Sequence, residues 1–321
     1  MLINRRGLIV GAAAATISGK VFAQSKQPLE MLVPWAPGGS TDIIARLFSV
    51  PFGAALGRSV IVDNQSGAAG TLGHAAMAKA EGNGNRVLVG TNSTYAIAPS
   101  LYRNLPYVHE RDLAPVSLLA QSPLTLCVSA TSGISSVSEL VDRAKASPDE
   151  LNYGSGGVGS TGHLATEFFM DITGTSMDHV IYRGGGQTLQ GLLSDEIQVA
   201  FLDISVAMDN QDNERIKIIG ISSPERFSVM PELPTIAEAG FAAFESTTAY
   251  ALFVPASTSP EIISGLEQAA RTAVNDADFG KALRDRGIEA IGSTAEELAE
   301  HVRSESAKWA RVITERNITV E

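Results

Sequence analysis

The fold of this chain is decided by the stretch Pro34-Trp-Ala-Pro-Gly-Gly-Ser-Thr-Asp-Ile-Ile-Ala-Arg46. The apolar run that precedes it, Leu29–Val33, has the composition of a strand. The apolar residues that follow the glycines, at positions 43, 44, 47 and 48, have the spacing of a helix. The stretch therefore predicts a turn that leads from a strand into a helix.

The glycines of this turn predict a binding place for an anion. Gly38 and Gly39 permit backbone angles that a β-carbon would forbid, and they allow another group to approach the main chain closely. Ser40 is the predicted N-cap, so the first amides of the helix and the positive end of its dipole would point outwards. The segment Trp35–Ser40, called the first turn below, therefore suits a carboxylate or a phosphate. A tight, well-capped turn without any ligand would have the same composition.

The first third of the chain alternates between strand and helix patterns. Such alternation predicts βαβ units around a parallel sheet, in which ligands bind at the carboxyl ends of the strands. Besides the first turn, the loops Asn64–Leu72 and Asn92–Pro99 emerge at that edge and are rich in glycine or small hydroxyl residues. The predicted elements are strand Leu29–Val33, helix Thr41–Leu56, strand Val60–Asp63, helix Leu72–Ala80 and strand Arg86–Thr91.

Two long apolar segments, Pro115–Ala130 and Thr247–Pro255, are predicted to cross between two α/β lobes. The helices after the second crossing, Pro260–Asp276, Asp278–Arg286 and Ala295–Asn317, are expected to pack on the first lobe. This arrangement places residues 24–122 and 252–321 in lobe 1, residues 123–251 in lobe 2, and a cleft between them. The second βα series is predicted as helix Val137–Lys145, strand Leu151–Tyr153, helix Thr161–Thr173, strand His179–Tyr182, helix Gln187–Leu193, and strands Ile197–Leu202 and Ile216–Ile221.

A second glycine-rich turn, Ser155–His163, repeats the pattern of the first turn, with Ser160 as a hydroxyl cap before a helix. Two helix N-termini that face each other across a cleft could hold an anion, or both carboxylates of a small diacid, without a lysine. Charge-assisted hydrogen bonds contribute about 1.5–3 kcal/mol each, so four or five would suffice for micromolar binding. Gly154, Gly156 and Gly159 also fit a dinucleotide-binding motif, but the next strand lacks the acidic residue that would bind the ribose.

Other chemistry has little support in the sequence. The chain contains no G-x-S-x-G, P-loop or H-E-x-x-H motif, and we predict no catalytic residue, metal ligand or cofactor. Asp203 ends an apolar strand where a cleft residue should lie, and it would accept hydrogen bonds from loop amides or from a ligand hydroxyl or amine. Asp42 and Arg46 are expected to form an ordinary ion pair within one helix. The candidate ligand contacts are Trp35, Pro37, Gly38, Gly39, Ser40, Asn92, Thr94, Tyr95, Ser155, Gly156, Ser160, Thr161, His163 and Asp203.

The N-terminus predicts export. Arg5-Arg6, a short apolar run and a small residue at Ala23 describe a signal peptide of the twin-arginine or Sec type, cleaved after Ala23. The first 23 residues carry three of the 24 basic residues and no acidic one, so the mature chain has a net charge of −14. This charge argues against nucleic acid and anionic membranes as partners. The single cysteine, Cys127, lies in an apolar run and is expected in the core.

Taken together, the motifs resemble those of the Bug receptors, the extracytoplasmic solute-binding proteins of tripartite tricarboxylate transporters. The matching segments follow the family's order through nearly the whole mature chain. They are Pro34-Trp-Ala-Pro-Gly-Gly-Ser-Thr-Asp-Ile-Ile-Ala-Arg46, Asn64-Gln-Ser-Gly-Ala-Ala-Gly70, Leu105-Pro-Tyr107, Tyr153-Gly-Ser-Gly-Gly-Val-Gly-Ser-Thr-Gly-His-Leu164, Tyr182-Arg-Gly-Gly-Gly186, Phe201-Leu-Asp203 and Pro231-Glu-Leu-Pro-Thr-Ile-Ala-Glu-Ala-Gly240.

The resemblance implies a two-lobed, Venus-flytrap receptor in the periplasm that closes on a small carboxylate and then docks on membrane permease subunits. It also implies that both turns and Asp203 line the cleft, and that the protein is a monomer. Two features depart from the family pattern. Tyr95 is larger than the residue relatives carry there and would reshape the pocket, whereas Asp209–Glu214 is unusually acidic and is expected to be a solvated turn. An exported enzyme acting on the same acids, or the ligand module of a sensor, are the alternatives.

Overall fold

The structure is a computed structural model that describes residues 27–227 and 229–319. The predicted signal peptide and its cleavage site lie outside these residues. The described strands are β1 Leu29–Val33, β2 Val60–Asn64, β3 Arg86–Thr91, β4 Leu113–Ser129, β5 Asn152–Ser155, β6 Asp178–Ile181, β7 Val199–Asp203, β8 Ile216–Ile221, β9 Thr247–Pro255 and β10 Glu289–Ala290. The described helices are α1 Ser40–Leu56, α2 Thr71–Ala78, α3 Ala98–Leu101, α4 His109–Asp112, α5 Val137–Ala146, α6 Thr161–Thr173, α7 Gly185–Leu193, α8 Ile204–Met208, α9 Pro260–Val274, α10 Ala277–Arg284 and α11 Ala295–Glu315.

The strands form two half-sheets that share β4. The order is β2-β1-β3-β9-β4-β7-β5-β6, with β8 and β10 as additional partners of β4. β1 pairs in parallel with β2 and β3, and β5 pairs in parallel with β6 and β7, as the βα alternation predicts. We call the part built on β1, β2 and β3 lobe 1, and the part built on β5, β6, β7 and β8 lobe 2.

The two predicted crossing segments form β4 and β9, and the α/β class is confirmed. β4 pairs with β9 as far as Pro123, and from Leu124 onwards it pairs with β7 and β8. Because a strand of 17 residues spans about 56 Å, β4 is long enough to serve both sheets. Cys127 lies in this second part of β4 and is fully buried, as expected, and burial raises the pKa of its thiol to about 12.

Helix α1 fixes the position of the first turn. Its residues Ile44, Phe48 and Phe52 are spaced at helical intervals and are completely buried against the core of lobe 1, which also contains β1 and β3 residues. Burying such side chains stabilises the fold by roughly 1.5–3 kcal/mol each. The start of α1 is therefore held rigidly at the carboxyl end of β1.

The C-terminal helix α11 packs on lobe 1, as predicted, and also reaches lobe 2. Trp309 is fully buried and its ring lies 6.3 Å from that of Phe168 on α6. Near the helix end, Arg316 donates to Glu167 on α6 at 3.2 Å. A helix of 21 residues is about 31 Å long, which lets one apolar stripe contact both lobes. Helices α9 and α10 pack on α1 in lobe 1, as predicted.

Two further segments can be compared with their predictions. The expected loop Asn92–Pro99 is instead a single π-helical turn, Ser93–Ile97, that continues into α3. Its small and apolar side chains are buried, so the backbone satisfies its polar groups within helical turns. The acidic stretch 209–214 is an irregular, largely exposed turn, as predicted. Within the described ranges, none of the helices has the length and apolar character needed to cross a bilayer.

Candidate functional site

The first turn keeps its predicted place between strand and helix, but its cap differs. Gly39 is the N-cap, with φ −79° and ψ 167°, and Ser40 is the first residue of α1. The prediction that Ser40 caps the helix is therefore wrong. The extended backbone of Gly39 begins the helix without a side-chain cap, and the Ser40 hydroxyl instead donates to Asp203 Oδ2 of lobe 2 at 3.2 Å.

The amides that the first turn can offer are those at the start of α1, whereas Gly38 is already engaged. The Gly38 amide donates to Asp42 Oδ2 at 2.9 Å, and the same oxygen accepts from Arg46 Nε at 2.9 Å. Burial opposes ionisation of Asp42, but the bonds from Arg46, Gly38 and Asn64 bring its pKa below the usual value. The amides of Ser40 and Thr41 have no acceptor among the described residues. They are the unpaired donors that every helix N-terminus leaves.

The second turn is capped by a side chain, as predicted. Ser160 Oγ accepts the His163 amide at 3.3 Å, which satisfies one of the first donors of α6. The amides of Thr161 and Gly162 have no acceptor within residues 27–227 and 229–319. The second turn therefore offers two unpaired amides at a helix start, as the first turn does.

Direct contacts join the two lobes at both turns. Ser40 Oγ lies 3.2 Å from Asp203 Oδ2 and 3.4 Å from Ser205 Oγ, across the cleft. At the other turn, the hydroxyls of Ser93 and Thr161 lie 3.1 Å apart. The two lobes therefore touch at both turns.

Both helix starts converge on the crossing strand β9. Asp203 Oδ1 accepts the Thr248 hydroxyl at 2.9 Å, so the contact made by Ser40 leads to this strand. Asn92 is fully buried, donates to the Thr247 carbonyl at 2.8 Å and lies 3.4 Å from Thr161 Oγ1. Hydrogen bonds thus connect both helix starts to Thr247 and Thr248 of β9.

The electrostatics of this cleft favour an anion held by dipoles. Arg46, the cation nearest to the first turn along the chain, is paired with Asp42. Burial raises the pKa of the Asp203 carboxyl, and its bonds from Thr248 and Ser40 only partly offset that rise. Among the described residues, no group of three histidine, cysteine, aspartate or glutamate side chains could hold a metal ion. The unpaired groups at the two helix starts are backbone amides, which suit an anion.

Comparison with known proteins decides the family. Residues 44–318 match the model of the tripartite tricarboxylate transporter family receptor. The chain belongs to this receptor family. The resemblance to Bug receptors is confirmed by BugT of Bordetella pertussis, which is 29% identical over 96% of this chain and 95% of its own.

Two solved structures show the same fold. R. palustris Rpa4515 with adipate has a TM-score of 0.85, with 29% identity over 91% of this receptor and 98% of that chain. MatC from Rhodopseudomonas palustris with bound malate has a TM-score of 0.82, with 28% identity over 89% of this receptor and 98% of that chain. The receptor therefore has the two-lobed solute-binding fold and, as a family member, is an exported periplasmic protein.

Two residues that were predicted to contact the ligand, His163 and Ser155, are instead buried within lobe 2. There they hold the second turn in place. His163 is buried, and its Nδ1 accepts the Gly159 amide at 3.2 Å. Its ring stacks at 4.4 Å on His179, which stacks at 4.6 Å on Tyr153. Burial lowers the pKa of both His163 and His179 to about 4, so both rings are neutral at pH 7. Ser155 is buried too, with its hydroxyl 2.7 Å from His179 Nε2.

The three glycines of the possible dinucleotide motif are explained by close packing. A β-carbon on Gly154 would lie 2.2 Å from Ile197, and one on Gly156 would lie 3.0 Å from the Gly184 backbone. Gly159 has a φ of +82°, and a β-carbon there would lie 2.5 Å from Leu101 of lobe 1. The spacing therefore follows from packing within lobe 2 and from the close approach of the lobes.

Thr94 and Tyr95 are core residues of lobe 1, contrary to the expectation that they line the pocket. The Thr94 hydroxyl bonds to the Thr91 carbonyl at 2.8 Å. Tyr95 is completely buried, and its hydroxyl lies 3.1 Å from His301 Nε2. The π-helical turn explains the difference, because it directs these side chains inwards whereas a loop would have left them exposed. Tyr95 therefore does not reshape the pocket.

The first turn is more exposed to solvent than the second turn. Pro37 is exposed, as are Gly38 and Gly39. Trp35 is half-buried and packs against the core of lobe 1, with its ring 3.3 Å from the position of a β-carbon on Gly70. Its indole Nε1 is buried and has no hydrogen-bond partner among the described residues. Trp35 thus covers the core, and its one polar atom is left unpaired.

Four residues at the cleft were not predicted from the sequence. They are Ser93, Ser205, Thr248 and Tyr250, which lie on three different segments. A signal for two of them exists in β9, where Thr248 and Tyr250 are polar residues two positions apart in a strand whose other residues after Thr247 are apolar. Alternate residues of a strand share a face, so the pattern could have indicated a polar face at the crossing.

Proposed function

We propose that this receptor captures a small organic carboxylate in the cleft between its lobes and delivers it to the permease subunits of a tripartite tricarboxylate transporter. The observation that supports this proposal best is the convergence of the α1 and α6 N-termini on β9, each with two unpaired amides. Such helix starts bind carboxylates through main-chain donors and dipoles. No step of bond breaking is required of the protein, and we propose that it is not an enzyme.

The ligand is proposed to be a di- or tricarboxylate, an aromatic acid or an acidic amino acid. Similarity to the proteins solved with adipate and with malate supports the dicarboxylates. The half-buried Asp203 supports a ligand that also carries a hydroxyl or an amine, because a carboxyl group at this position could accept a hydrogen bond from it. Adipate lacks such a donor and malate has one, so the two acids test the role of Asp203.

The amides are sufficient for useful affinity. Hydrogen bonds from the amides of Ser40, Thr41, Thr161 and Gly162 to a charged ligand would contribute about 1.5–3 kcal/mol each. After the cost of association, this leaves roughly the 8 kcal/mol that corresponds to a micromolar Kd. Neutral histidines and a paired Arg46 need not contribute.

The organisation of the mature protein follows from the same proposal. We place lobe 1 at 24–122 and 252–321 and lobe 2 at 123–251, and the change of partner of β4 at Pro123–Leu124 supports the first boundary. The signal peptide is proposed to be cleaved after Ala23, by the Sec or the twin-arginine route. We propose that the receptor acts as a monomer.

Isothermal titration calorimetry with a panel of acids tests the proposal. The panel contains malate, adipate, citrate, benzoate and glutamate, and each is titrated into the mature protein at pH 7. We expect micromolar binding of at least one acid without its conversion over hours. Absence of binding across the panel would contradict a carboxylate receptor, and turnover of a bound acid would favour the enzyme.

A further inference from the structure

Tyr250 has a buried hydroxyl that the fold itself does not use. The residue lies in the middle of β9 and its side chain is 1% exposed. The hydroxyl has no hydrogen-bond partner of acceptable geometry among the described residues. Buried polar groups are nearly always paired, because an unpaired one loses its bonds to water without replacement. A partner from outside the chain would explain why a tyrosine stands here.

The register of the sheet places Tyr250 at the ligand edge of lobe 1. Tyr250 is directly opposite Thr91, the last residue of β3, so both side chains lie on the same face. The Thr91 hydroxyl is also buried without a partner. The face is the one covered by α1, since Val89 and Leu252, the next pair on the same face, belong to the core that contains the buried residues of α1.

Trp35 extends the same row. It stands two residues after Val33, which belongs to the same core, so Trp35 continues that face of β1 beyond the strand end. Its Nε1 is also buried without a partner among the described residues, and its ring lies beside Gly70 at the start of α2. Three buried hydrogen-bond donors thus lie near the carboxyl ends of β1 and β3.

The buried side chain of Tyr250 lies near Ser40 and Asp203, the two residues whose contact joins the lobes. Burial raises the pKa of its phenol well above the ordinary value, the nearby Asp203 carboxylate adds to the rise, and the nearby Ser40 hydroxyl opposes it. Both neighbours take part in the contact between the lobes. The phenol therefore stays protonated and available as a donor at the point where the lobes meet.

We propose that the Tyr250 hydroxyl donates a hydrogen bond to the carboxylate held by the α1 amides and thereby acts as a specificity-determining residue of the receptor. This inference rests on the proposed function. The Thr91 hydroxyl, opposite Tyr250 in the sheet, is a second neutral donor that is buried without a partner among the described residues. The crossing strand thus contributes to recognition as well as to the connection of the lobes.

The test compares Tyr250→Phe with Tyr107→Phe as a matched control. Both substitutions remove one buried phenol oxygen from lobe 1, but the Tyr107 hydroxyl already donates to the Thr94 carbonyl at 2.7 Å. Affinity for malate and adipate is measured by calorimetry, and the melting temperature is measured without ligand. For Tyr250→Phe we expect a ten- to hundred-fold weaker affinity with no fall in melting temperature, because the hydroxyl has no partner of good geometry and its neighbour Ser40 already donates to Asp203. For Tyr107→Phe we expect a lower melting temperature and unchanged affinity.

The outcomes separate this inference from the proposed function. If the wild type binds neither acid nor any other member of the panel, the proposed function fails, and the inference fails with it. If the wild type binds and Tyr250→Phe binds equally well, only the inference is overturned. A fall in the melting temperature of Tyr250→Phe without a loss of affinity would also overturn it, since the hydroxyl would then bond within the protein.

Discussion

The first and second turns share one sequence pattern but satisfy their polar groups in different ways. In the first turn, the cap is the backbone of Gly39, and residues 36–39 are exposed. In the second turn, Ser160 caps the helix, His163 accepts the Gly159 amide, and Ser155 is buried beneath. The residues that precede the helix are therefore exposed in the first turn, whereas in the second turn they are fixed by side-chain hydrogen bonds.

The difference teaches that a glycine-rich turn before a helix can bind in two ways. The first turn depends on the absence of side chains, because its amides can be reached only past Gly38 and Gly39. The second turn depends on the neutral imidazoles behind it, which fix the loop that leads to Thr161. Substitutions should therefore impair ligand binding in the first turn and stability in the second.

The largest expected effect is loss of binding in Gly39→Val. The backbone at Gly39 is extended, and a β-carbon there would meet only the Ala36 carbonyl at 3.6 Å, so valine is tolerated. Its side chain would cover the amides of α1, and we expect an affinity at least 100-fold weaker in calorimetry with nearly unchanged unfolding. Gly265→Val on the exposed face of α9 is the control and should change neither. Normal binding by Gly39→Val would show that the ligand lies elsewhere.

The next largest effect is a loss of unfolding free energy when the second turn is changed. His163→Phe keeps a ring for stacking but removes the acceptor of the Gly159 amide, which should cost about 1–3 kcal/mol of unfolding free energy in denaturant titrations. Because the pKa of His163 is about 4, the wild type should bind its ligand with the same affinity from pH 6 to pH 8. Unchanged stability together with a complete loss of binding would instead identify His163 as a direct ligand contact.

Alanine substitutions of Ser160 and Ser40 should differ by a smaller amount in unfolding free energy. Ser160→Ala removes the side-chain cap of α6 and should lower the unfolding free energy by about 1 kcal/mol. Ser40→Ala removes no cap, since Gly39 occupies that position, but it removes the long bond to Asp203 at 3.2 Å and should cost about 0.5 kcal/mol. Thermal and urea denaturation of both variants would measure the difference. Equal losses would indicate that the two helices are capped in the same way after all.

The smallest expected effect concerns the pH dependence of stability through Asp203. Its pKa is raised in the folded protein, so the folded state binds the proton more tightly than the unfolded state does. This group therefore makes stability fall as pH rises from the unfolded pKa, near 3.8, through the raised folded value. Asp203→Asn cannot titrate, and its stability relative to the wild type should be higher at pH 7 than at pH 4. A constant difference between these pH values would contradict the raised pKa.

Much of the fold could be predicted because its elements are bounded by clear local signals. The strands β1, β3, β8 and β9 and the helix α6 have the predicted bounds, since apolar runs there end at glycine, proline or a hydroxyl cap. The π-helical turn after Asn92 was missed, because its short polar residues also fit a loop. The reach of α11 to lobe 2 depends on tertiary packing at Trp309, which its helical period alone does not specify.

The candidate site was predictable only as far as topology determines it. Ser40 and Asp203 meet because both follow the carboxyl ends of strands, where ligand loops of α/β sheets collect. Thr248 and Tyr250 reach the same place through the register of β9 with β3 and β4, which a single sequence does not reveal. Tyr95 was placed wrongly for the same reason, since the direction of its side chain follows from the turn that contains it.

The most direct test of the central claim is a crystal structure of the receptor with malate or with whichever acid of the panel binds most tightly. We predict that the carboxylate oxygens lie within hydrogen-bond distance of the Ser40 and Thr41 amides in lobe 1 and of the Thr161 and Gly162 amides in lobe 2. A ligand whose carboxylates pair instead with lysine or arginine side chains, with these four amides left in solvent, would contradict the account.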